Sequence, residues 1–568
     1  MRPGSDGASV ISRRQFVEDL VSVAGLLTTS KVRAKTALHV DLLGENPDKA
    51  ENVGSPELPL ENTALRSLKT RQQCALLQSQ RPIPEYVNNG DEKVLPRWSG
   101  NFTKGLPHAQ SGEVEPGRYE TLLKALETGS PDAFQKIARG SGMRLVSPQA
   151  AFSIHLEGAD AQTFLLAPPP SVASPEGAAE MVELYWQALA RDVPFAEYGE
   201  SPLIEKATRD LTQLTRFTEP KRDGRLTPQT IFRANNIGNL AGPYLSQFLW
   251  KPIPIGSSKQ EQMYRSPAVG NDFADTYPEW LQLQNGVPPW REYQWQPERR
   301  HIITGRDLAE YIHYDFLYQA FLNAALIIID SGTGSIYNTN YYFSETNPYK
   351  HSKTVMGFVT LGFGQVVDWI ARVTTPALKA AWFQKWLVHR YLRPEEFGGL
   401  VHRNKTLAAD YPLHKDVMSS QGLAEVHNRF GTFLLPQAYP EGCPLHPAYP
   451  SGHATVAGAC ATMLKALFDE DMVVPNCVVP TKDGQSLIPY KGPALTVKGE
   501  VEKLAFNVAF GRNFAGIHWR SDATGGIHLG EEVAITILED LVNTFAEDFP
   551  GFQFTRFDGT PVHITKMA

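Results

Sequence analysis

Apolar positions along this chain recur mostly with the helical period of about 3.6 residues. Met181, Tyr185, Ala188 and Leu189 fall on one face, and Pro194 stops the pattern. From about residue 305 to 395 helical spacing dominates: Leu308, Ile312 and Phe316 share a face, and Ala320 and Leu322 continue its apolar character. Leu378, Trp382, Lys385 and His389 form one stripe, and Val456, Cys460, Met463 and Leu467 form another, with His453 in phase. The last helical stretch runs from about 522 to 545. Residues 220–300, rich in Pro, Trp and Gly, read as long loops between short helices. With no sustained period-2 series and no internal repeat, the predicted fold class is all-α or mostly α.

Four segments follow from these patterns. Residues 36–80 are a loose arm rich in Pro, Glu and Asn, residues 81–300 an N-terminal helical half, and residues 301–568 a C-terminal helical half. Residues 1–35 are ambiguous. Ser12-Arg13-Arg14-Gln15-Phe16 resembles a twin-arginine export signal, followed by an apolar Val21–Leu27 and a candidate cleavage site at Val32-Arg33-Ala34. Glu18 and Asp19 interrupt the place where apolar residues should begin. Periplasmic or secreted residence, and a disordered arm on a cytoplasmic protein, both stay open.

Composition narrows the function classes. A net charge of −7 gives no reason to expect nucleic acid or an anionic membrane as partner. No run of 18 apolar residues exists, which argues against an integral membrane protein. The four cysteines include no CxxC pair, so a zinc ribbon is not expected. Cys443, Cys460 and Cys477 lie within 35 residues, leaving either a disulfide or buried free thiols. Dinucleotide, P-loop and HExxH signatures are absent.

Against this acidic background, three segments concentrate cations and histidines. In the first, Lys385 takes a core position on its stripe, and a buried lysine is costly unless a negative charge faces it. Pro394 disfavours helical geometry at Arg393, placing that arginine at the helix end. In the second, Pro450-Ser451-Gly452-His453 opens an apolar helix, with Ser451 as N-cap and Gly452 allowing a ligand close to the backbone. A helix start aims free N–H groups at one point, which suits an anion. In the third, Arg512 precedes His518, and Asp522 stands four residues beyond on the same face. Asp522 is expected to lie too far along to hydrogen-bond His518, while Gly525 and Gly526 permit close helix packing. Each segment alone is compatible with a snorkelling lysine, a capped helix and core histidines.

Taken together, the three segments resemble the tripartite pattern of the vanadium haloperoxidase and acid phosphatase superfamily. The resemblance implies Lys385, Arg393, Ser451, the Gly452 amide, His453 and Arg512 as ligands of a vanadate cofactor, and His518 as the residue bonded to the metal. Seven residues separate Lys385 from Arg393, and His446 stands seven before His453. Both features resemble the bromoperoxidase branch, as do Phe102–His108 and Tyr311–Asn323. The implied activity is oxidation of bromide, or of iodide or chloride, by hydrogen peroxide, with halogenation of an organic acceptor. His453 is the implied acid and base, with His446 and Lys385 assisting. The implied architecture is two four-helix-bundle-like units with the vanadate site at the end of the second, in a homo-oligomer, dimer or larger; a structural calcium stays open. The same cradle suits a phosphatase with His518 as nucleophile, or a non-catalytic oxyanion-binding protein. Chain length, the lysine–arginine spacing and His446 favour the haloperoxidase.

Overall fold

The computed structural model describes residues 63–567, except 218–219, 222–224 and 331–341. The twin-arginine-like stretch lies outside the described residues. Elements are labelled as they are introduced. α1 (Thr63–Ser79) is a helix inside the stretch expected to be a loose arm. It is anchored by its last turns, where Gln78 reaches Asp540 at 3.0 Å and Cys74 lies against the Asp540 carbonyl. α2 (Pro175–Ala190) matches the expected Met181–Leu189 stripe. Its start is fixed by Ser174, whose hydroxyl accepts from the Gly177 amide at 3.0 Å, and by Pro175 in the first helical position.

The stretch 305–330 divides into α3 (Gly305–Tyr311) and α4 (Gln319–Asp330). Phe316 was expected to share a face with Leu308 and Ile312, but it lies in the intervening turn and is 49% exposed. α5 (Phe363–Arg372) and α6 (Thr374–Phe383) follow, and α6 runs into one π-type turn, Gln384–His389. Arg390 closes that turn at φ 44°, a left-handed conformation unusual for a side-chain-bearing residue. Its guanidinium is held by Glu92 at 2.8 and 2.6 Å. α7 (Pro394–Thr406), α8 (Gly452–Leu467), α9 (Val497–Phe514) and α10 (Arg520–Leu541) complete the frame.

α8 is the axis of this region: it lies along α10 and is flanked by α9 and α6. The closest crossing depends on glycine. A Cβ at Gly458 would collide with the Ile527 carbonyl, and one at Gly530 with the Thr455 carbonyl. Gly525 and Gly526 are in close contact as expected, with Tyr449 and with Ala454 and Ser451. One apolar core draws residues from both halves of the sequence, including Met181, Tyr185 and Trp186 with Val456, Cys460 and Ile527. Strands are confined, among the described residues, to three two-stranded hairpins: β1 (Ile253–Ile255) with β2 (Ser258–Gln260), β3 (Val478–Pro480) with β4 (Leu487–Pro489), and β5 (Phe552–Thr555) with β6 (Pro561–Ile564). The helical class holds. No described helix is long and apolar enough to cross a membrane. The four cysteines are free thiols.

Candidate functional site

Lys385 projects from the π turn and is completely buried. Its amine donates to the carbonyls of Pro447 and Ala448 at 2.7 and 2.6 Å. Burial, and then the neighbouring Arg393 charge, push its pKa well below that of a free lysine. Arg393 does not end the preceding helix. It occupies the N-cap position of α7 with extended backbone, because Pro394 is the first residue of that helix. Glu396, in the first turn, accepts from the Arg393 amide at 2.7 Å and fixes this start. The Arg393 guanidinium then spans three loops: it donates to the His446 carbonyl at 2.8 Å, the Ile517 carbonyl at 2.9 Å, the His446 ring at 2.9 Å and His518 Nε2 at 3.0 Å.

Arg512 leaves the last turn of α9, a helix the periodicity analysis had not identified. It donates to the Ile312 carbonyl at 3.2 Å and lies 5.3 Å from the Tyr439 ring centre. Its Nε is buried without a hydrogen-bond partner. The Asp522 charge acts on Lys385 and Arg393, but its carboxylate is bonded to His518; among the described residues, Lys385, Arg393 and Arg512 form no ion pair with a carboxylate. Their partners are carbonyls, a tyrosine hydroxyl and imidazoles. Three buried cations so arranged are favourable only when an anion is supplied.

His518 was expected to be out of reach of Asp522. In fact His518 Nδ1 lies 2.6 Å from Asp522 Oδ2. The reason is that His518 precedes α10 instead of belonging to it, and Asp522, in the first turn, folds back to accept from the Trp519 amide at 3.0 Å as well. Arg393 carries only donors, so His518 Nε2 must accept and the ring proton sits on Nδ1, donated to Asp522. Burial, followed by the charges of Arg393, Lys385 and Arg512, keeps the His518 ring neutral, with its pKa far below the usual value. Burial pushes Asp522 up to about 7, against the pull of Lys385.

The helix start completes the arrangement. Ser451 caps α8, its hydroxyl accepting from the Ala454 amide at 3.3 Å, and its own amide donates to the Asp522 carbonyl at 3.0 Å. The first-turn amides, Gly452 and His453 among them, have no acceptor within the helix. A Cβ at Gly452 would lie 3.1 Å from the Trp382 ring, so glycine lets the helix tip approach that indole. His446 lies between Arg393 and Trp382, 4.8 Å from the indole centre, and burial beside Arg393 and Lys385 holds it neutral. Arg393 is the cation in contact with His518, and Lys385 is bonded to the Pro447 and Ala448 carbonyls beside the His446 that Arg393 also holds. The charges of Lys385 and Arg512 add to the lowering of the His518 pKa.

Comparison with known proteins follows this geometry. A family model described as the VCPO second helical-bundle domain matches residues 373–547, a span that contains Lys385, Arg393, His446, Ser451, Gly452, His453, Arg512, His518 and Asp522. The chain is 34% identical over 502 residues to the vanadium-dependent bromoperoxidase of Ascophyllum nodosum, covering 84% of this chain and 88% of the relative. It is 33% identical to the vanadium-dependent bromoperoxidase of Corallina officinalis, covering 90% of this chain and 100% of that protein. The chain belongs to the vanadium-dependent bromoperoxidase family. The fold agrees: the homohexameric second vanadate-dependent bromoperoxidase of Ascophyllum nodosum superposes with a TM-score of 0.85 at 29% identity, over 95% of this chain and 96% of that one.

Within this bromoperoxidase fold, the structure adds residues that sequence reasoning missed. His453 Nε2 lies 3.0 Å from Asp315 Oδ1. Asp315 is buried in the turn between α3 and α4, and its second oxygen has no partner. Burial and Arg512 lower the His453 pKa, and Asp315 opposes the shift. Asp315 lies in the Tyr311–Asn323 stretch that resembles the bromoperoxidase branch, where it is a lone carboxylate among aromatic residues. His313 stacks on Tyr439, with ring centres 3.8 Å apart, and bonds Glu441 at 2.5 Å. Tyr439 thereby takes His313 and Arg512 as ring neighbours.

Proposed function

We propose that this bromoperoxidase-family protein binds vanadate and uses hydrogen peroxide to oxidise bromide, with iodide or chloride as lesser halides, delivering oxidised halogen to organic acceptors. The observation that carries this reading is a buried Arg393 without a carboxylate ion pair meeting Nε2 of a neutral His518 at 3.0 Å, with Lys385 bonded to the adjoining 447–448 carbonyls; a bound metal would take the Nε2 lone pair in place of that hydrogen bond. The donor set fits a tetrahedral oxyanion: Lys385, Arg393 and Arg512 to neutralise its oxygens, the Ser451 hydroxyl and Gly452 amide to bond them, and His518 Nε2 as the protein ligand to the metal. Bound vanadate supplies a Lewis-acidic centre that activates peroxide toward halide.

The remaining roles belong to the chain. Asp522 holds His518 in the tautomer that leaves Nε2 free. A bound anion raises the Lys385 pKa and keeps its amine charged. His453, oriented by Asp315, takes and returns the protons of peroxide. His446 stays neutral and hydrogen-bonds Arg393, beside the path toward Trp382. The same reading includes a homo-oligomer, supported by the homohexameric relative. It also includes a second helical bundle within residues 301–568 that carries the site, supported by the family match at 373–547. Export through the Ser12–Phe16 stretch rests on sequence alone.

The test is to load the purified chain with vanadate and assay peroxide-dependent bromination of a phenolic dye beside hydrolysis of a phosphate ester. Vanadate-dependent bromination is expected, with His518→Ala losing vanadate and His453→Ala keeping some vanadate while losing turnover. Ester hydrolysis inhibited by vanadate, without bromination, would establish the phosphatase reading instead.

A further inference from the structure

The turn that carries His518 is capped from within by one bond, Asp522 accepting from the Trp519 amide at 3.0 Å. Trp519 occupies the N-cap position of α10, but an indole N–H can only donate, and it donates to the Leu392 carbonyl at 3.0 Å. The further acceptors come from α2. Glu180 accepts from the Ser521 amide at 3.0 Å and from the Ser521 hydroxyl at 2.8 Å. Glu183, three residues on and therefore on the same face of α2, takes Arg520 in a two-point bond at 2.8 and 2.5 Å. Both glutamates are buried, and they lie 341 and 337 residues away in sequence from the groups they hold. On its other side the same helix turn is tied to the α8 tip, through the Ser451 amide and the Asp522 carbonyl at 3.0 Å. The His518–Asp522 pair therefore sits on a turn gripped from α2, outside the span that matches the second-bundle family model.

We infer that Glu180 and Glu183 are positioning residues for His518: together they set the first turn of α10, so that Asp522 meets His518 Nδ1 and Nε2 faces Arg393. This rests on the reading of His518 as the ligand of vanadate. Glu180 works as a hydrogen-bond acceptor, whereas Glu183 works as a charge, since Arg520 is buried. The two residues should therefore tolerate different replacements. Glutamine at 180 keeps an oxygen for the Ser521 amide; glutamine at 183 removes the charge that meets the Arg520 guanidinium at two points.

The experiment measures vanadate affinity by equilibrium dialysis on the full chain, with melting temperature and amide hydrogen exchange of the vanadate-free protein measured alongside. Glu180→Ala and Glu183→Gln should each weaken vanadate binding about tenfold, in the range seen when partners of metal-ligating histidines are removed. Exchange over residues 517–523 should rise while α8 and α9 stay protected. Glu180→Gln should restore near wild-type affinity, which general loss of packing would not explain. Wild-type affinity and wild-type exchange in both Glu180→Ala and Glu183→Gln would overturn the inference. If Glu180→Ala does not fold, Ser521→Ala removes one of the same bonds and must show the same changes to a smaller degree; unchanged exchange there would also overturn it. If the unmutated chain binds no vanadate, the cofactor reading fails, and the exchange measurement still decides whether the clamp orders this turn.

Discussion

Asp315 is the residue whose role is tested most cleanly by charge removal. It faces His453 at 3.0 Å and favours the protonated ring against burial and Arg512. Asp315→Asn should lower the His453 pKa further, moving the corresponding limb of the bromination pH profile to lower pH, with kcat down about tenfold as orientation is lost. A wild-type profile in that variant would remove Asp315 from the account. His389 gives a stability prediction. It is buried, both ring nitrogens lack partners, and burial holds its pKa at about 3. The unfolded chain takes up this proton near pH 6.5, so the stability this group confers is complete above that pH and is lost as pH falls toward 3. His389→Phe keeps a ring against Tyr449, 4.8 Å away, and should lose less stability than wild type between about pH 7 and about pH 4 in urea melts, by up to about 1.4 kcal/mol per pH unit. Most of the candidate residues were legible because each is a cation or imidazole where an apolar side chain was due. Two misreadings share one cause. Placing His518 inside a helix put Asp522 out of reach, and placing Arg393 at a helix end hid its position at the start of α7; in both cases the helix that begins just beyond, at Arg520 and at Pro394, decided the geometry.

At the scale of elements, the crossing of α8 and α10 depends on atoms that glycine omits. Gly530→Ala puts a methyl into the Thr455 carbonyl and should destabilise the fold by about 1–3 kcal/mol, read from denaturant unfolding, unless the helices separate. An unchanged midpoint would show that the contact can relax. Stripes on α2, α6 and α8 were visible because polar and apolar positions alternate with the helical period there. α9 was not visible, and the reason is physical. Glu500, Glu502 and Lys503 are buried in it as pairs, with Lys503 on Glu500 at 2.6 Å and Lys465 of α8 on Glu502 at 3.3 Å. Charges satisfied inside the core erase the contrast that periodicity detects. α1 escaped for the opposite reason: nearly all of it faces outward, so its pattern has no buried stripe.

At the scale of the molecule, an acidic chain assembles a buried centre rich in cations from segments between residues 385 and 518, held by groups as remote as Glu180 and Asp315. Helical class and the cation set could be read from local pattern; the contribution of α2 to the His518 turn could not, because no spacing rule spans more than 300 residues. Such a centre should be stabilised by any anion of the right shape. Vanadate at about 100 times its dissociation constant should raise unfolding free energy by about 2.7 kcal/mol, seen as a higher melting temperature, and Arg512→Ala should abolish the increase. The most direct measurement of the central claim is a crystal structure of the chain soaked in vanadate. The account predicts one tetrahedral or five-coordinate anion bonded through its metal to His518 Nε2, with oxygens facing Lys385, Arg393, Arg512 and the amide of Gly452. Vanadate bound away from these residues, or no density among them at saturation, would contradict it.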